Sequence, residues 1–479
     1  MDMFIDGGWT AAASGAVQDV TNPATGAVID KVPNGSEVDA DRALRAADRA
    51  FAAWRSVPVT ERARLQRRAA GLMRDRAGEI GQVLMTELGR PLAAAVAEVT
   101  RSADLLEVYA EEGLRVHSEI ISATAGEKIL VTREPVGVVV AITPFNYPIT
   151  LLCFKLGAAL MAGCTLVAKP AEDTPLSTLM LAQVFHDAGY PPGCFNVVTG
   201  RGRGIGMAMV NHRIPAKIAF TGGTAAGKAI AAAATGTMKR VTLELGGQSP
   251  AIVCADADLA KAAAAIARHG FANSGQFCYR VNRVYVERGV HDAFLTALLA
   301  EVAKITVGLP TQDVTMGPMV NHKIFANAQG QIIDARTKGA RICCGGARLT
   351  GGTFDGGYFL PPTVIAGADH SMQIMTEETF GPVLGVMATD SAAQGLALAN
   401  DTDYGLAGFV FSGDFGRGLA LAERINAGSV WVNNIHRSHQ SAPFGGMKQS
   451  GIGREKGRWG VESYLEYKTI YLSYAEGLA

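Results

Sequence analysis

The chain has 479 residues, 44 Lys and Arg against 44 Asp and Glu, and a hydrophobic content of 48%. That length suits two or three domains around large cores. A formal net charge of zero gives no electrostatic reason to expect nucleic acid or an anionic membrane surface as a partner. Seven cysteines, an odd number with no Cys-x-x-Cys pair, support neither a disulfide framework nor a zinc site, so no metal is expected. The opening MDMFIDGGWTAAASG lacks the basic and long apolar parts of a secretory signal. The most apolar stretch, LLCFKLGAALMAGCTLVA, is broken by Lys155. A cytoplasmic protein with reduced thiols is expected.

In chain order, residues 36–56 begin with Ser36 as an N-cap and carry Leu44, Ala47, Phe51 and Trp54 at helical spacing. Residues 60–88 continue the pattern with Leu65, Ala69, Leu72 and Met73. The first hundred-odd residues are therefore predicted to be mostly helical. Near residue 117 the character changes. β-Branched runs on both sides of TAGEK predict a hairpin that projects from the domain.

From 138 to 246, short apolar runs at 138–142, 165–169, 195–199, 217–221 and 241–245 alternate with helical segments. In TPLSTLMLAQVFHDAG, Thr174 is the predicted N-cap and Pro175 the first helical residue. This alternation predicts a parallel, doubly wound sheet, whose ligands bind beyond the carboxyl ends of the strands. TGRGRGIG at 199–206 does not fit the dinucleotide GxGxxG spacing and is expected to form a turn. Residues 247–435 read as a second α/β domain, and YLEYKTIYLSY as a terminal strand.

The strand ends carry the chemistry. Asn146 follows the run at 138–142, where it either caps the next helix or aims its amide at a developing oxyanion. Lys169 and Glu172 follow the next run, as sugar-binding groups or as a surface ion pair. Gly222, Gly223 and Gly227 open a helix and allow a phosphate to approach backbone N–H groups. Glu244 ends an apolar strand, where burial raises a carboxyl pKa and makes a general base, unless a partner holds it. Cys278 lies 34 residues further on. On position alone it is an inert buried thiol, since only a few per cent of a free thiol is ionised at neutral pH.

TPFNYP, KPAED, FTGGTAAGK, LELGGQ, GQFC, EETFGPV and PFGGMKQSGIGRE occur in this order. Together they resemble the aldehyde dehydrogenase superfamily over nearly the whole chain. The resemblance implies an α/β fold of two doubly wound domains, a cofactor domain (1–116 and 135–246) and a catalytic domain (247–446). A small projecting oligomerisation element (117–134 and 460–479) would make a homodimer or homotetramer. It implies that Cys278 attacks an aldehyde and that Asn146 and the Cys278 N–H hold the oxyanion. Glu244 would activate water, rather than coenzyme A, to release the acid, and Lys155 would assist a proton relay. For the cofactor it implies Lys169 and Glu172 at the adenosine ribose, and Gly222, Gly223 and Gly227 at the pyrophosphate. Glu378 would bind the nicotinamide ribose with Phe380 beside it, and Thr143, Pro144, Phe145, Leu245 and Gly246 would complete the site. Gly223 departs from the serine common in the family.

Glu172 favours NAD, with NADP possible, because a carboxylate accepts from a 2′-hydroxyl and repels a 2′-phosphate. The implied substrate pocket of Tyr147, Leu151, Phe154, Phe277 and Phe444 suits an aromatic or medium aliphatic aldehyde. Arg437 offers the alternative of an NADP-using semialdehyde dehydrogenase, by pairing with a substrate carboxylate. A rival of another class is a catalytically idle binding protein on the same scaffold. The other six cysteines are expected to be structural.

Overall fold

The computed structural model describes residues 1–121, 126–435 and 438–474. Its first 33 residues correct the helical expectation. Met3–Ile5 and Gly8–Thr10 form a hairpin, and Val17–Thr21 pairs with Val28–Pro33. The overlooked signal is Asp6-Gly7, whose φ angles of 54° and 81° place both residues in the left-handed region. Asp-Gly is favoured in a two-residue hairpin turn because both positions need positive φ. Helices then follow at Glu37–Trp54, Val59–Asp75, Ala77–Leu88 and Leu92–Leu114. The first is held at its start by Asp39, which accepts from the Ser36 N–H at 2.9 Å.

An eight-stranded sheet has five parallel strands at its centre, in the order Phe195–Val197, Thr165–Lys169, Val138–Ile142, Lys217–Thr221, Arg240–Glu244. Sequence order reverses at Val138–Ile142, which makes its carboxyl end the switch point where a crevice opens. The N-terminal hairpin extends one edge through Phe4↔Val197. Gly451–Ile452 closes the other, with Glu244 opposite Gly451. Helix Pro148–Ala162 leaves the switch point and is buried on all sides except at Thr150. Its neighbours are close: a Cβ on Gly157 would lie 2.8 Å from the side chains of Leu106 and Tyr109.

A second sheet of seven strands follows the order Arg341–Cys344, Thr363–Ala366, Val383–Thr389, Arg283–Glu287, Pro250–Val253, Ala407–Phe411, Ser429–Val432. All neighbours are parallel except the edge strand Arg341–Cys344. The predicted hairpin is present: Glu119–Ile121 pairs with Glu127–Pro135, which pairs in turn with Leu465–Ser473. Its turn, 122–125, and the last five residues fall outside the described chain. Ile120, Tyr467 and Tyr471 on this sheet are more than half exposed. Among the described residues, no helix is long and apolar enough to cross a membrane.

The predicted cap at Thr174 is also corrected. The helix runs Leu176–Asp187, and the Thr174 hydroxyl instead donates to the Phe145 carbonyl at 3.4 Å. Glu87, from helix Ala77–Leu88, accepts from the N–H groups of Leu176 and Ser177 at 2.8 and 3.0 Å. A tertiary carboxylate therefore does what a local hydroxyl was expected to do.

Candidate active site

Asn146 stands between strand Val138–Ile142 and helix Pro148–Ala162, but it does not cap that helix. Glu98 does, accepting from the N–H groups of Ile149 and Thr150 at 3.1 Å each. The Asn146 carbonyl accepts from Arg90 and, at 3.2 Å, from Asn273 Nδ2. Its side chain is buried and its amide oxygen has no partner. The amide is thus left for whatever enters the cavity beside it.

Cys278 is reached through an unusual turn. After helix Leu259–Phe271, Asn273, Ser274 and Gly275 have φ of 51°, 56° and 71°. A Cβ on Gly275 would lie 2.1 Å from the Gly381 carbonyl oxygen, so only glycine fits. Cys278 keeps partial solvent contact. Burial pushes its pKa up, the charges of Glu378 and Glu244 push the same way, and its own and the Tyr279 backbone N–H groups oppose them. The resting residue is a thiol and needs a base to become a nucleophile.

Glu244 ends strand Arg240–Glu244. It is 3% exposed and neither carboxyl oxygen has a partner among the described residues. Burial first, then the charge of Glu455, raises its pKa well above the usual carboxylate range, while Lys155 and Arg454 pull it back. The reading of Glu244 as a structurally partnered carboxylate therefore does not hold. Lys155 is fully buried and donates to Thr221 Oγ1 and Glu455 Oε1, both at 2.6 Å. Glu455 was not singled out in the sequence, although it closes the motif PFGGMKQSGIGRE. Its other carboxyl oxygen is buried without a partner. Lys155, Glu455 and Glu244 form one buried group of titratable side chains.

Two cavities meet at Cys278, Asn146 and Leu151. The larger, about 510 Å³, is lined by Pro144, Phe145, Gly222, Gly223, Glu244, Leu245, Gly246, Glu378 and Phe380, all expected. Thr221 joins them, as do Lys323, Ile324 and Asn327 from helix His322–Thr337, which carries no motif. Thr143, Lys169, Glu172 and Gly227 do not line it. Lys169 and Glu172 are not ion-paired either. Lys169 donates to the Pro170 carbonyl at 2.9 Å and is pushed down to about 8 by burial. Glu172 is exposed and accepts from the Gly202 N–H at 2.9 Å. Gly227 serves packing, since a Cβ there would lie 2.4 Å from Leu245 Cδ2. Beside Gly223 there is open space, so no steric reason removes the serine hydroxyl. Glu378 accepts from the Gly247 N–H at 3.0 Å and is pushed up to about 7 by burial. Phe380, at φ 53°, meets the Phe145 ring edge-to-face at 5.7 Å.

The smaller cavity, about 120 Å³, contains all five expected pocket residues, Tyr147, Leu151, Phe154, Phe277 and Phe444. It adds Arg101, Thr150, Tyr279, Ser438, Gln440 and Lys456. Arg101 comes from helix Leu92–Leu114 and is half-buried, which lowers its pKa. The two carboxylates nearest in sequence, Glu98 and Asp104, are ion-paired with Arg90 and Arg74 instead. Lys456 is 1% exposed, donates to the Ser438 carbonyl and hydroxyl at 3.1 and 2.8 Å, and lies 5.5 and 5.8 Å from the Phe154 and Phe444 ring centroids. Burial pushes it down to about 8. Arg437 and its neighbour His436 lie outside the described residues.

The site therefore joins a half-buried thiol, a high-pKa carboxyl and an amide whose oxygen is unpartnered, at the junction of a glycine-lined cavity and an aromatic one. The aldehyde dehydrogenase family profile matches residues 9–470. Glutarate-semialdehyde dehydrogenase of Pseudomonas putida is 39% identical over 98% of this chain and 97% of its own length. The 3-sulfolactaldehyde dehydrogenase of Pseudomonas putida is 40% identical over 98% and 96%. An Escherichia coli succinate-semialdehyde dehydrogenase described as NADP(+)-dependent is 39% identical over 97% and 96%. Among solved structures, an Escherichia coli NADP-dependent enzyme superposes with a TM-score of 0.96 at 38% identity, covering 98% of each chain. Betaine aldehyde dehydrogenase of Staphylococcus aureus in complex with NAD+ gives 0.97 at 35% identity, covering 100% of this chain and 95% of that one. The chain belongs to the aldehyde dehydrogenase family and is an oxidoreductase that acts on aldehydes.

Proposed function

We propose that this protein oxidises an aldehyde bearing an anionic tail, a semialdehyde in the first instance, to the corresponding acid with a nicotinamide dinucleotide as oxidant. The observation that carries the proposal is the pair Arg101 and Lys456 in the smaller cavity. Among the described residues, neither has a carboxylate within ion-pair distance. Burying cations without counter-charge is costly, and an incoming carboxylate or sulfonate offsets that cost. The names of the relatives fit, since glutarate semialdehyde, succinate semialdehyde and sulfolactaldehyde are all anionic. The aromatic walls alone would suit an aryl aldehyde. They do not account for the two cations.

The larger cavity suits the dinucleotide. Helix Thr224–Thr235 opens directly after Gly223, so its first N–H groups favour a phosphate. The open space beside Gly223 and the buried Glu378 carboxyl fit a pyrophosphate and a ribose. In this reading Gly222 and Gly223 take the pyrophosphate, Glu378 and Phe380 the nicotinamide riboside, and Lys169 and Glu172 the adenosine ribose. Gly227, Leu245 and Thr143 support the walls. Glu172 favours NAD over NADP, although related enzymes use either. When bound, the nicotinamide supplies acceptance of hydride from the carbonyl carbon.

Cys278 Sγ attacks the carbonyl carbon as its proton leaves to Glu244. The Asn146 amide and the Cys278 N–H stabilise the oxyanion. The carbon, once oxidised, remains on Cys278 as a thioester. Glu244 passes the thiol's proton on through the Lys155–Glu455 pair to solvent and, again a carboxylate, takes a proton from the attacking water. The C–S bond then breaks, the acid leaves, and Cys278 Sγ recovers a proton from Glu244, which restores the resting thiol.

The test is a comparison of kcat/KM for succinate semialdehyde, an uncharged aldehyde of equal length and benzaldehyde, with NAD and with NADP, without coenzyme A. Preference for the semialdehyde supports the proposal, and preference for benzaldehyde overturns it. Ile121, Tyr467 and Tyr471, exposed on one face of the three-stranded sheet, suit a homodimer or homotetramer, which light scattering tests.

A further inference from the structure

The two oxyanion donors come from distant parts of the chain. Asn146 follows a strand of the first sheet, and Cys278 precedes a strand of the second. One buried side chain touches the supports of both. Arg90 is 3% exposed and sits in the turn between helices Ala77–Leu88 and Leu92–Leu114. Each of its three nitrogens has an acceptor. Nη2 donates to the Asn146 carbonyl, Nη1 is paired with Glu98, and Nε donates to Asn273 Oδ1 at 3.0 Å. Its Cζ lies over the Tyr147 ring, 4.0 Å from the centroid. Asn273 closes the circuit, with Nδ2 donating to the carbonyls of Asn146 at 3.2 Å and Gln276 at 3.0 Å.

Each bond fixes something the chemistry needs. Glu98 caps the helix that begins after Asn146. The Asn146 carbonyl sets the orientation of the residue whose amide faces the cavity. Asn273 is the first of the three left-handed residues that lead to Cys278. We propose that Arg90 is a positioning residue that holds the Asn146 amide and the Cys278 backbone N–H in register as one oxyanion site. The planar fork suits this task because three acceptors in different directions are met by one rigid group, which a lysine ammonium cannot reproduce. The inference rests on the aldehyde-oxidising role of Cys278 proposed above.

The test is Arg90→Lys, which keeps the charge opposite Glu98 but loses the fork. Misplacement by about 1 Å costs on the order of 100-fold in rate. We expect kcat to fall by about that factor while cofactor Kd stays within about twofold of wild type. The discriminating readout is the rate of Cys278 alkylation by iodoacetamide, a displacement that generates no oxyanion. That rate should be unchanged in Arg90→Lys. A kcat within twofold of wild type overturns the proposal. So does a parallel loss of alkylation rate, which would mean general disorder of the site. If Arg90→Lys does not fold, Asn273→Gly tolerates the positive φ and removes the link to the nucleophile turn. It should lower kcat with alkylation unchanged, and unaltered kcat there overturns the proposal equally. Cys278→Ser reports separately on the underlying reading, since turnover surviving in it would remove the role of Cys278 without bearing on Arg90.

Discussion

The cavity proposed for the cofactor and the cavity proposed for the aldehyde share Cys278, Asn146 and Leu151, yet they are built differently. The first is made largely of strand-end backbone, glycines and two carboxyls. Its shape comes from where the chain can approach closely, as at Gly246, where a Cβ would lie 2.5 Å from Glu378 Oε2. The second is made of side chains from helices and loops, and its chemistry rests on two cations amid aromatic rings. Backbone-built sites tolerate little change in residue type. Side-chain-built sites can change specificity by one substitution.

The largest effects should come at the shared boundary. Cys278→Ser should abolish aldehyde oxidation, measured as formation of reduced cofactor. Asn146→Ala should lower kcat by about 100- to 1,000-fold, the usual cost of one oxyanion donor, with cofactor binding intact. Next come the cations. Arg101→Met and Lys456→Met should each reduce kcat/KM for a semialdehyde by roughly 30-fold or more, as loss of one partner of a buried charge pair does. Oxidation of an uncharged aldehyde should change little. Equal losses on both substrates would erase the contrast between the two cavities.

Much of the cofactor side was legible because its residues sit in contiguous motifs at strand ends. Gly222 and Gly223 follow directly from strand–helix alternation, whereas Leu245 and Gly246 were implied by the resemblance. Glu378 and Phe380 came only with the family resemblance. The aldehyde side was legible only in its aromatics. Arg101 lies mid-helix at a spacing that also suits a solvated face, and nothing local says that the helix packs on a cavity. Lys456 depends on a left-handed backbone, φ 71°, that turns it inward. Glu455 and Arg90 act through partners 300 and 56 residues away, a distance no local pattern spans. At the N-terminus the helical periodicity of later residues was extended over a hairpin that Asp6-Gly7 had specified.

A pH profile sharpens the contrast further. Lys456 is pushed down to about 8, so it is charged below that pH and neutral above it. The ratio of kcat/KM for a semialdehyde over an uncharged aldehyde should therefore fall as pH rises through about 8. Taking the ratio cancels ionisation of Cys278 and Glu244, and Lys456→Met should flatten it. The smallest effect belongs to Glu172→Ser. It should bring kcat/KM for NADP closer to that for NAD by roughly tenfold through loss of like-charge repulsion, with no change in aldehyde preference.

The most direct measurement is that same ratio, semialdehyde over uncharged aldehyde of equal length, in the wild type and in the double variant Arg101→Met, Lys456→Met. The account predicts a ratio well above one that collapses toward one in the double variant, with turnover of the uncharged aldehyde retained. A ratio near one in the wild type, or one that survives loss of both cations, would contradict it.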